Sequence, residues 1–148
     1  MKNLKNQSPK ILVIGDLMID HYLWGSSDRI SPEAPVQVVN VKNESTVLGG
    51  AGNVINNLKS LGAQVDVISV IGGCEISDEL KKLLNKIKVD TQYLITQKDR
   101  ITSKKSRIIA AQQQVVRYDR ESTDEISSES QKQILASFKD IISNYDGI

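Results

Sequence analysis

The run Lys10-Ile11-Leu12-Val13-Ile14-Gly15, followed at once by Asp16-Leu17-Met18, decides the fold class. A short, continuous apolar stretch closed by Gly-Asp is the pattern of a parallel strand buried on both faces. Gln64 to Ile71 (QVDVISVI) reads as the second core strand. Between the two, Gly49 to Gly52 opens a helix pattern that carries Ala51, Ile55, Leu58 and Leu61 at helical spacing. Gly62 stands where a C-terminal cap is expected. Ser77 is positioned to cap a second helix, with Asp78 and Glu79 in its first turn and an apolar stripe of Leu80, Leu83, Leu84 and Ile87. A third strand is expected near Tyr93 to Thr96. Alternating strands and helices predict an α/β fold: a parallel sheet flanked by helices.

Two strand-rich stretches interrupt this alternation. Asp20 to Gly25 alternates, so that Asp20, Tyr22 and Trp24 share one face and His21 and Leu23 the other. Pro32 and Pro35 break the chain before a valine-rich strand, Val36 to Lys42, which suits a sheet edge. Farther on, Ser103 to Ala110 and Gln113 to Tyr118 are close enough to form a hairpin. The serine-rich segment Glu121 to Glu129 reads as a linker, within which Ser128 and Gln131 have capping-box spacing. The helix that follows is expected to turn Ile134, Leu135, Phe138, Ile141 and Ile142 inward. It runs to Asn144, and Asp146-Gly147-Ile148 stands where the next strand is due. A helical crossover normally delivers a strand to the sheet, so the expected fold is incomplete at its C-terminal end.

Composition narrows the function. The 19 basic and 18 acidic residues leave a net charge of +1, so no global field draws nucleic acid or a membrane surface. The apolar run Ile11 to Ile14 is too short for a signal-peptide core or a membrane span. A single cysteine, Cys74, forms no internal disulfide, and a reducing, cytoplasmic location is expected.

The sharpest local feature is Gly49-Gly50-Ala51-Gly52-Asn53 at a helix start. Glycines permit close approach of backbone to ligand, and free N–H groups there suit oxygen-rich or anionic groups. Asn53 adds a donor and an acceptor. Neither the dinucleotide pattern G-x-G-x-x-G nor the phosphate-binding G-x-x-x-x-G-K-[ST] is present. Asp16 and Asp20 follow the carboxyl end of the first strand, where open α/β sheets place ligands. Asp16 reads as a turn residue. Asp20 can accept hydrogen bonds from neighbouring sugar hydroxyls, and no further carboxylates cluster with it to form a metal site. In the hairpin, Lys105 and Arg107 share a face; with little compensating charge in the nearby sequence, the pair suits a phosphate monoester. Gln113 and Arg117 lie on the second arm. His21 has no partners resembling a catalytic triad, Cys74 reads as a small buried hydrophobe, and Tyr22 and Trp24 read as packing residues.

Three stretches carry a resemblance: Gly15-Asp16-Leu17-Met18-Ile19-Asp20-His21-Tyr22, Arg29-Ile30-Ser31-Pro32-Glu33-Ala34-Pro35-Val36, and the glycine turn Gly49 to Asn53. Together with Lys105-Ser106-Arg107 and Gln113 to Asp119, they resemble the N-terminal half of PfkB/ribokinase-like carbohydrate kinases, closest to those acting on D-glycero-D-manno-heptose 7-phosphate. The resemblance implies that 1–148 is the N-terminal part of a single Rossmann-like kinase domain with a small β-sheet lid, its strands within 20–48 and 103–119. It implies ATP-dependent phosphorylation, with Mg2+, of the anomeric hydroxyl, giving the 1,7-bisphosphate used for ADP-heptose and the lipopolysaccharide core. It also implies a homodimer formed through the lid. Asp20, Gly49, Gly50 and Asn53 match sugar-binding positions of the family, and Lys105, Arg107 and Gln113 match lid positions facing the heptose and its 7-phosphate. The family's Gly-Ala-Gly-Asp loop, which carries the catalytic base, has no match in these residues, so no catalytic residue is assigned and this chain alone is expected to be inactive. Another sugar kinase of the same fold, or a non-catalytic sugar-phosphate binding or dimerisation module, is the alternative.

Overall fold

The computed structural model describes residues 8–148, so the first seven residues of the expected 1–148 domain lie outside the described residues. Its elements are β1 (Lys10–Ile14), β2 (Leu17–Ile30), β3 (Gln37–Gly50), α1 (Ala51–Ser60), β4 (Gln64–Ile71), α2 (Glu75–Lys86), β5 (Leu94–Thr96), β6 (Ser103–Ala110), β7 (Gln113–Arg120) and α3 (Ser128–Ile141).

The apolar runs build a parallel sheet ordered β1-β4-β5, with Lys10 opposite Gln64 and Ser69 opposite Leu94. On the other side of β1, Gly147 bridges Ile11 in parallel, and the Leu12 N–H donates to the Gly147 carbonyl at 3.0 Å. Strand β1 is therefore the point where the order reverses, and the crevice beyond its carboxyl end is a natural ligand position. One face of the sheet is covered by α1 and α2, whose Ile55, Leu80 and Leu84 are fully buried against Val65, Val67 and Ile71. Each such side chain contributes about 1.5–3 kcal/mol by leaving water. The opposite face, Leu12 and Ile68, packs under α3 through Ile141, Phe138 and Ile134. Leu135 and Ile142, expected to point inward, are exposed. The i, i+4, i+7 set 134, 138 and 141 fills the contact, leaving its neighbours on the flank.

The second sheet is mixed, ordered β3-β2-β6-β7. β2 and β3 form a long antiparallel pair, β6 adds to β2 in parallel, and β7 returns antiparallel to β6. Both long strands exceed the stretches legible from alternation. β3 lies at the sheet edge, as the nearby prolines suggested, and its polar centre is exposed. Gly25 faces a bulge in β3, where Lys42 is the extra residue, and a Cβ on Gly25 would lie 2.2 Å from the Asn40 carbonyl oxygen.

Two helix caps differ from the sequence reading. α2 begins at Glu75 with Cys74 at its N-cap. Ser77 is instead buried in its first turn, donating to the Gly72 carbonyl at 2.6 Å and pairing with the Thr102 hydroxyl at 2.7 Å. A buried hydroxyl takes whichever partners its surroundings provide, here one from the turn before α2 and one from a distant loop. At α3 the cap is Ser127, one residue before the expected Ser128, and its Oγ accepts from the Ser130 N–H at 3.1 Å. α1 closes on Gly62, whose φ of 90° allows Gly62 and Ala63 to donate back to Lys59 and Leu58.

Candidate functional site

The two sheets are joined most directly at the ends of β1 and β3. Only Gly15 and Asp16 separate β1 from β2, and β3 passes directly into α1. The Ala51 N–H closes this junction by donating to the Asp16 carbonyl at 2.9 Å. Asp16 is thus a turn residue, exposed, at the rim of a groove of about 500 Å³ that also takes in Thr102, Glu121 and Asp124.

Strand periodicity then sets a face above this junction. Met18, Asp20, Tyr22 and Trp24 share it with Gly49 and Val47 of β3 and with Lys105 and Arg107 of β6. Gly49 has no room for a side chain: a Cβ there would lie 2.3 Å from Asp20 Oδ2. Gly50 adopts φ +56° at the N-cap of α1, and a Cβ there would meet the Asp16 carbonyl oxygen at 2.6 Å. No side chain caps α1 and no acidic residue occupies its first turn, so this helix start is open to an electron-rich group. Asn53 is exposed in that first turn.

The cations on this face are paired. The Arg107 guanidinium donates to Asp20 Oδ1 and lies over the Tyr22 ring, 5.2 Å from its centre. Tyr22 in turn stacks on Trp24 at 5.5 Å. The bond to Asp20 raises the affinity of Arg107 for its proton. Lys105 Nζ donates to both oxygens of Glu121, at 3.0 and 3.1 Å, and to Asp119 Oδ2 at 3.2 Å. These bonds, that to Glu121 first, hold the Lys105 ammonium above its ordinary pKa. Arg117 holds the same Asp119 oxygen at 3.0 Å. Burial works against ionisation of Asp119, but the bonds from Lys105 and Arg117 outweigh it and lower its pKa.

The expectation that Lys105 and Arg107 stand with little compensating charge is therefore corrected. Lys105, Arg107 and Arg117 face Asp20, Asp119 and Glu121, and the face is balanced. The cause is antiparallel register, which puts Asp119 opposite Lys105. Glu121 lay in the apparent linker, and no local sequence signal pointed to it.

Gln113 is not brought into this group. It pairs with Ala110 at the hairpin tip, five residues beyond Lys105 along β6, or about 16 Å. A bulge between Ile108 and Ile109 shifts the register, so Gln114, opposite Ile109, takes the Asp20 face and Gln113 the other. That other face carries His21, which bonds Glu44 at 3.1 Å and Ser106 at 3.4 Å, and the Lys104–Glu79 pair, which ties the sheet to α2. Cys74 is half-buried against the core. Among the described residues no three His, Cys, Asp or Glu side chains are placed to hold a metal ion, and no helix is long and apolar enough to cross a membrane.

A polyol-sized polar face over the carboxyl end of β1, under a small β-sheet, is an arrangement suited to a sugar. In agreement, the profile of the pfkB family carbohydrate kinases matches residues 8–144, and the chain belongs to that family. The bifunctional protein HldE of Aliarcobacter butzleri is 66% identical over 143 residues, covering 97% of this chain and 30% of that protein. The chain spans about 30% of the length of the curated relatives it matches. A carbohydrate kinase from Agrobacterium tumefaciens has the same fold, with a TM-score of 0.60 at 24% identity over 76% of this chain and 35% of that one. So does the ribokinase of Cryptococcus neoformans solved with ADP, with a TM-score of 0.52 at 22% identity over 78% of this chain and 34% of that one. The fold is ribokinase-like, with the mixed sheet as its lid.

Proposed function

We propose that this chain forms the acceptor-sugar side of an ATP-dependent carbohydrate kinase. The acceptor is D-glycero-D-manno-heptose 7-phosphate, phosphorylated at its anomeric hydroxyl, in the cytoplasm, to supply ADP-heptose for lipopolysaccharide. The observation that carries the reading is Asp20, seated against Gly49 beside the open start of α1, with Lys105 and Arg107 on the same face. A carboxylate held by a guanidinium through one oxygen is kept oriented, with its other oxygen ready to accept from sugar hydroxyls. Gly49 and Gly50 let the sugar approach the backbone, and Asn53 adds amide contacts at the same helix start. The 7-phosphate is assigned to Lys105 and Arg107. The closeness to HldE proteins and the Arg29 to Val36 stretch support heptose 7-phosphate over other sugars.

No residue of this chain is assigned to ATP or Mg2+: the described residues offer no metal cluster, and the Gly-Ala-Gly-Asp loop has no match in this sequence. The transfer step is likewise assigned to no residue of this chain. Dimerisation through the lid is part of the proposal, supported by the exposed Val115, Val116 and Tyr118 of β7.

A second reading, a kinase for an unphosphorylated sugar, draws on the balanced charge around Lys105. Calorimetric titration separates the two. Heptose 7-phosphate is expected to bind more tightly than unphosphorylated heptose, and the Lys105→Ala, Arg107→Ala double variant to erase the difference. Equal affinity for the two sugars in a folded wild-type chain would favour the second reading.

A further inference from the structure

We propose that Glu121 is a displaceable internal anion that fills the phosphate subsite of the lid until a phosphate monoester takes its place on Lys105. The inference rests on the assignment of Lys105 to the sugar's phosphate and adds how that subsite is kept and opened.

An ammonium has three donors. The three contacts of Lys105 are the two Glu121 oxygens and Asp119 Oδ2, so carboxylates occupy every donor. An incoming phosphate has to replace one of these carboxylates, and they are not held equally. Asp119 sits within β7 directly opposite Lys105 and is also gripped by Arg117 at 3.0 Å. Glu121 lies just past the end of β7 at Arg120, and its only side-chain bonds among the described residues are those to Lys105. Glu121 is therefore the one that can leave without breaking a strand pairing or orphaning a second cation.

Charge makes the exchange selective. With Glu121 in place the face is neutral, and a sugar hydroxyl has little to gain by displacing a bidentate carboxylate. A phosphate dianion brings twice the charge of the carboxylate and more acceptor oxygens, so it competes where an uncharged sugar does not. When it leaves, Glu121 moves into the groove that already includes its side chain and that borders Asp16.

The test is an NMR titration of the wild-type chain, Glu121→Gln and Glu125→Gln with inorganic phosphate, then with heptose 7-phosphate and unphosphorylated heptose. Glu125→Gln makes the same charge change in the same segment and serves as the control. Glutamine keeps the shape but gives up the ion pair, so inorganic phosphate is expected to bind Glu121→Gln roughly five-fold more tightly than wild type. Glu125→Gln should match wild type, and uncharged heptose should not distinguish the three proteins. If Glu121→Gln binds phosphate no better, or worse, Glu121 positions Lys105 rather than blocking it, and the inference falls. An equal gain in Glu125→Gln reduces the effect to bulk charge and also overturns it. Failure of the sugar assignment reads differently: heptose 7-phosphate would then bind no more tightly than inorganic phosphate, whatever stands at position 121.

Discussion

Replacing Gly49 by alanine tests whether the carboxylate of Asp20 is held where the site needs it. An added Cβ would lie 2.3 Å from Asp20 Oδ2 and 2.9 Å from both Asp20 Cγ and Met18 Cγ. Ordinary contact begins at 3.4 Å, so the nearer oxygen has to retreat by about 1.1 Å. Asp20 is short and sits in the middle of a paired strand, and its other oxygen is held by Arg107. Retreat therefore means turning away from the guanidinium. Crowding of this kind costs about 1–3 kcal/mol. The Asp20–Arg107 pair, about one-fifth exposed, adds less than about 1 kcal/mol after solvent screening. A loss near 2 kcal/mol is expected in urea unfolding, with sugar affinity falling about ten-fold or more as a charge-assisted acceptor is misplaced. Gly62→Ala is the control. At φ +90° with no atom of the described residues within 4 Å of an added Cβ, it costs about 1 kcal/mol through backbone strain and leaves the sugar face untouched. The reasoning is refuted if Gly49→Ala keeps full stability and affinity, or if Gly62→Ala weakens sugar binding as much.

Two further predictions concern buried hydroxyls and alkaline pH. Ser77→Ala should cost about 1–3 kcal/mol in urea unfolding, because it strips the Gly72 carbonyl and the Thr102 hydroxyl of a buried partner; Ser69→Ala, which removes a buried hydroxyl with no partner among the described residues, should be neutral or stabilising. Equal losses in the two variants would contradict the hydrogen-bond assignment. Burial, then the bond it donates to Asp66 at 2.7 Å, pushes the Tyr145 phenol well above its ordinary pKa of 10.0. A raised folded-state pKa gives stability that is complete below the unfolded value and fades as pH climbs past about 10, so Tyr145→Phe should flatten part of that alkaline fall. Lys105, also raised, contributes to the same fall in both proteins. Identical alkaline slopes would remove Tyr145 from the account.

The body of the fold was legible because its strands are buried on both faces, so hydrophobicity alone writes them into the sequence. β1 follows from the apolar run Ile11 to Ile14 and β4 from its valines and isoleucines between Val65 and Ile71, and the spacing of Leu80, Leu83, Leu84 and Ile87 gives α2 its buried side. What escaped depends on distant partners. Ser77 looks like a cap until Thr102, 25 residues away, meets its hydroxyl. The polar centre of β3 carries no strand signature, because an edge strand facing solvent needs none. In the site, period two correctly put Lys105 and Arg107 beside each other and Asp20 on the face with Tyr22 and Trp24. Charge balance was hidden, since it depends on register across the hairpin. One bulge then exchanges the faces of Gln113 and Gln114. The turn gives no warning, because Ala111 and Gln112 adopt positive φ without the glycine or asparagine such turns favour.

The two halves of the lid are joined to the body in different ways, and this difference bears on how a ligand would act. β2 and β3 are continuous with β1 and α1 across a junction of two residues, locked by the Ala51 to Asp16 bond. Asp20 and Gly49 therefore move with the parallel sheet, and the group proposed to read sugar hydroxyls has a fixed frame. β6 and β7 instead reach the body through irregular segments at residues 97–102 and 121–127. The first segment is anchored in the body: the Thr102 hydroxyl accepts from the Gly72 N–H at 2.7 Å and pairs with Ser77 Oγ at 2.7 Å. The second is held to the first by exposed bonds, Ile101 N–H to Ser122 Oγ at 2.9 Å and Arg100 to the Asp124 carbonyl at 2.9 Å, each worth about 1 kcal/mol. Glu121 begins this second, weaker joint, while Lys105 is paired with β2 on one side and β7 on the other. Exchange of Glu121 for a phosphate would therefore perturb the weaker joint while the hydroxyl-binding half stays still. The cost of rearrangement would fall on contacts that a phosphate bound by Lys105 and Arg107 is strong enough to replace.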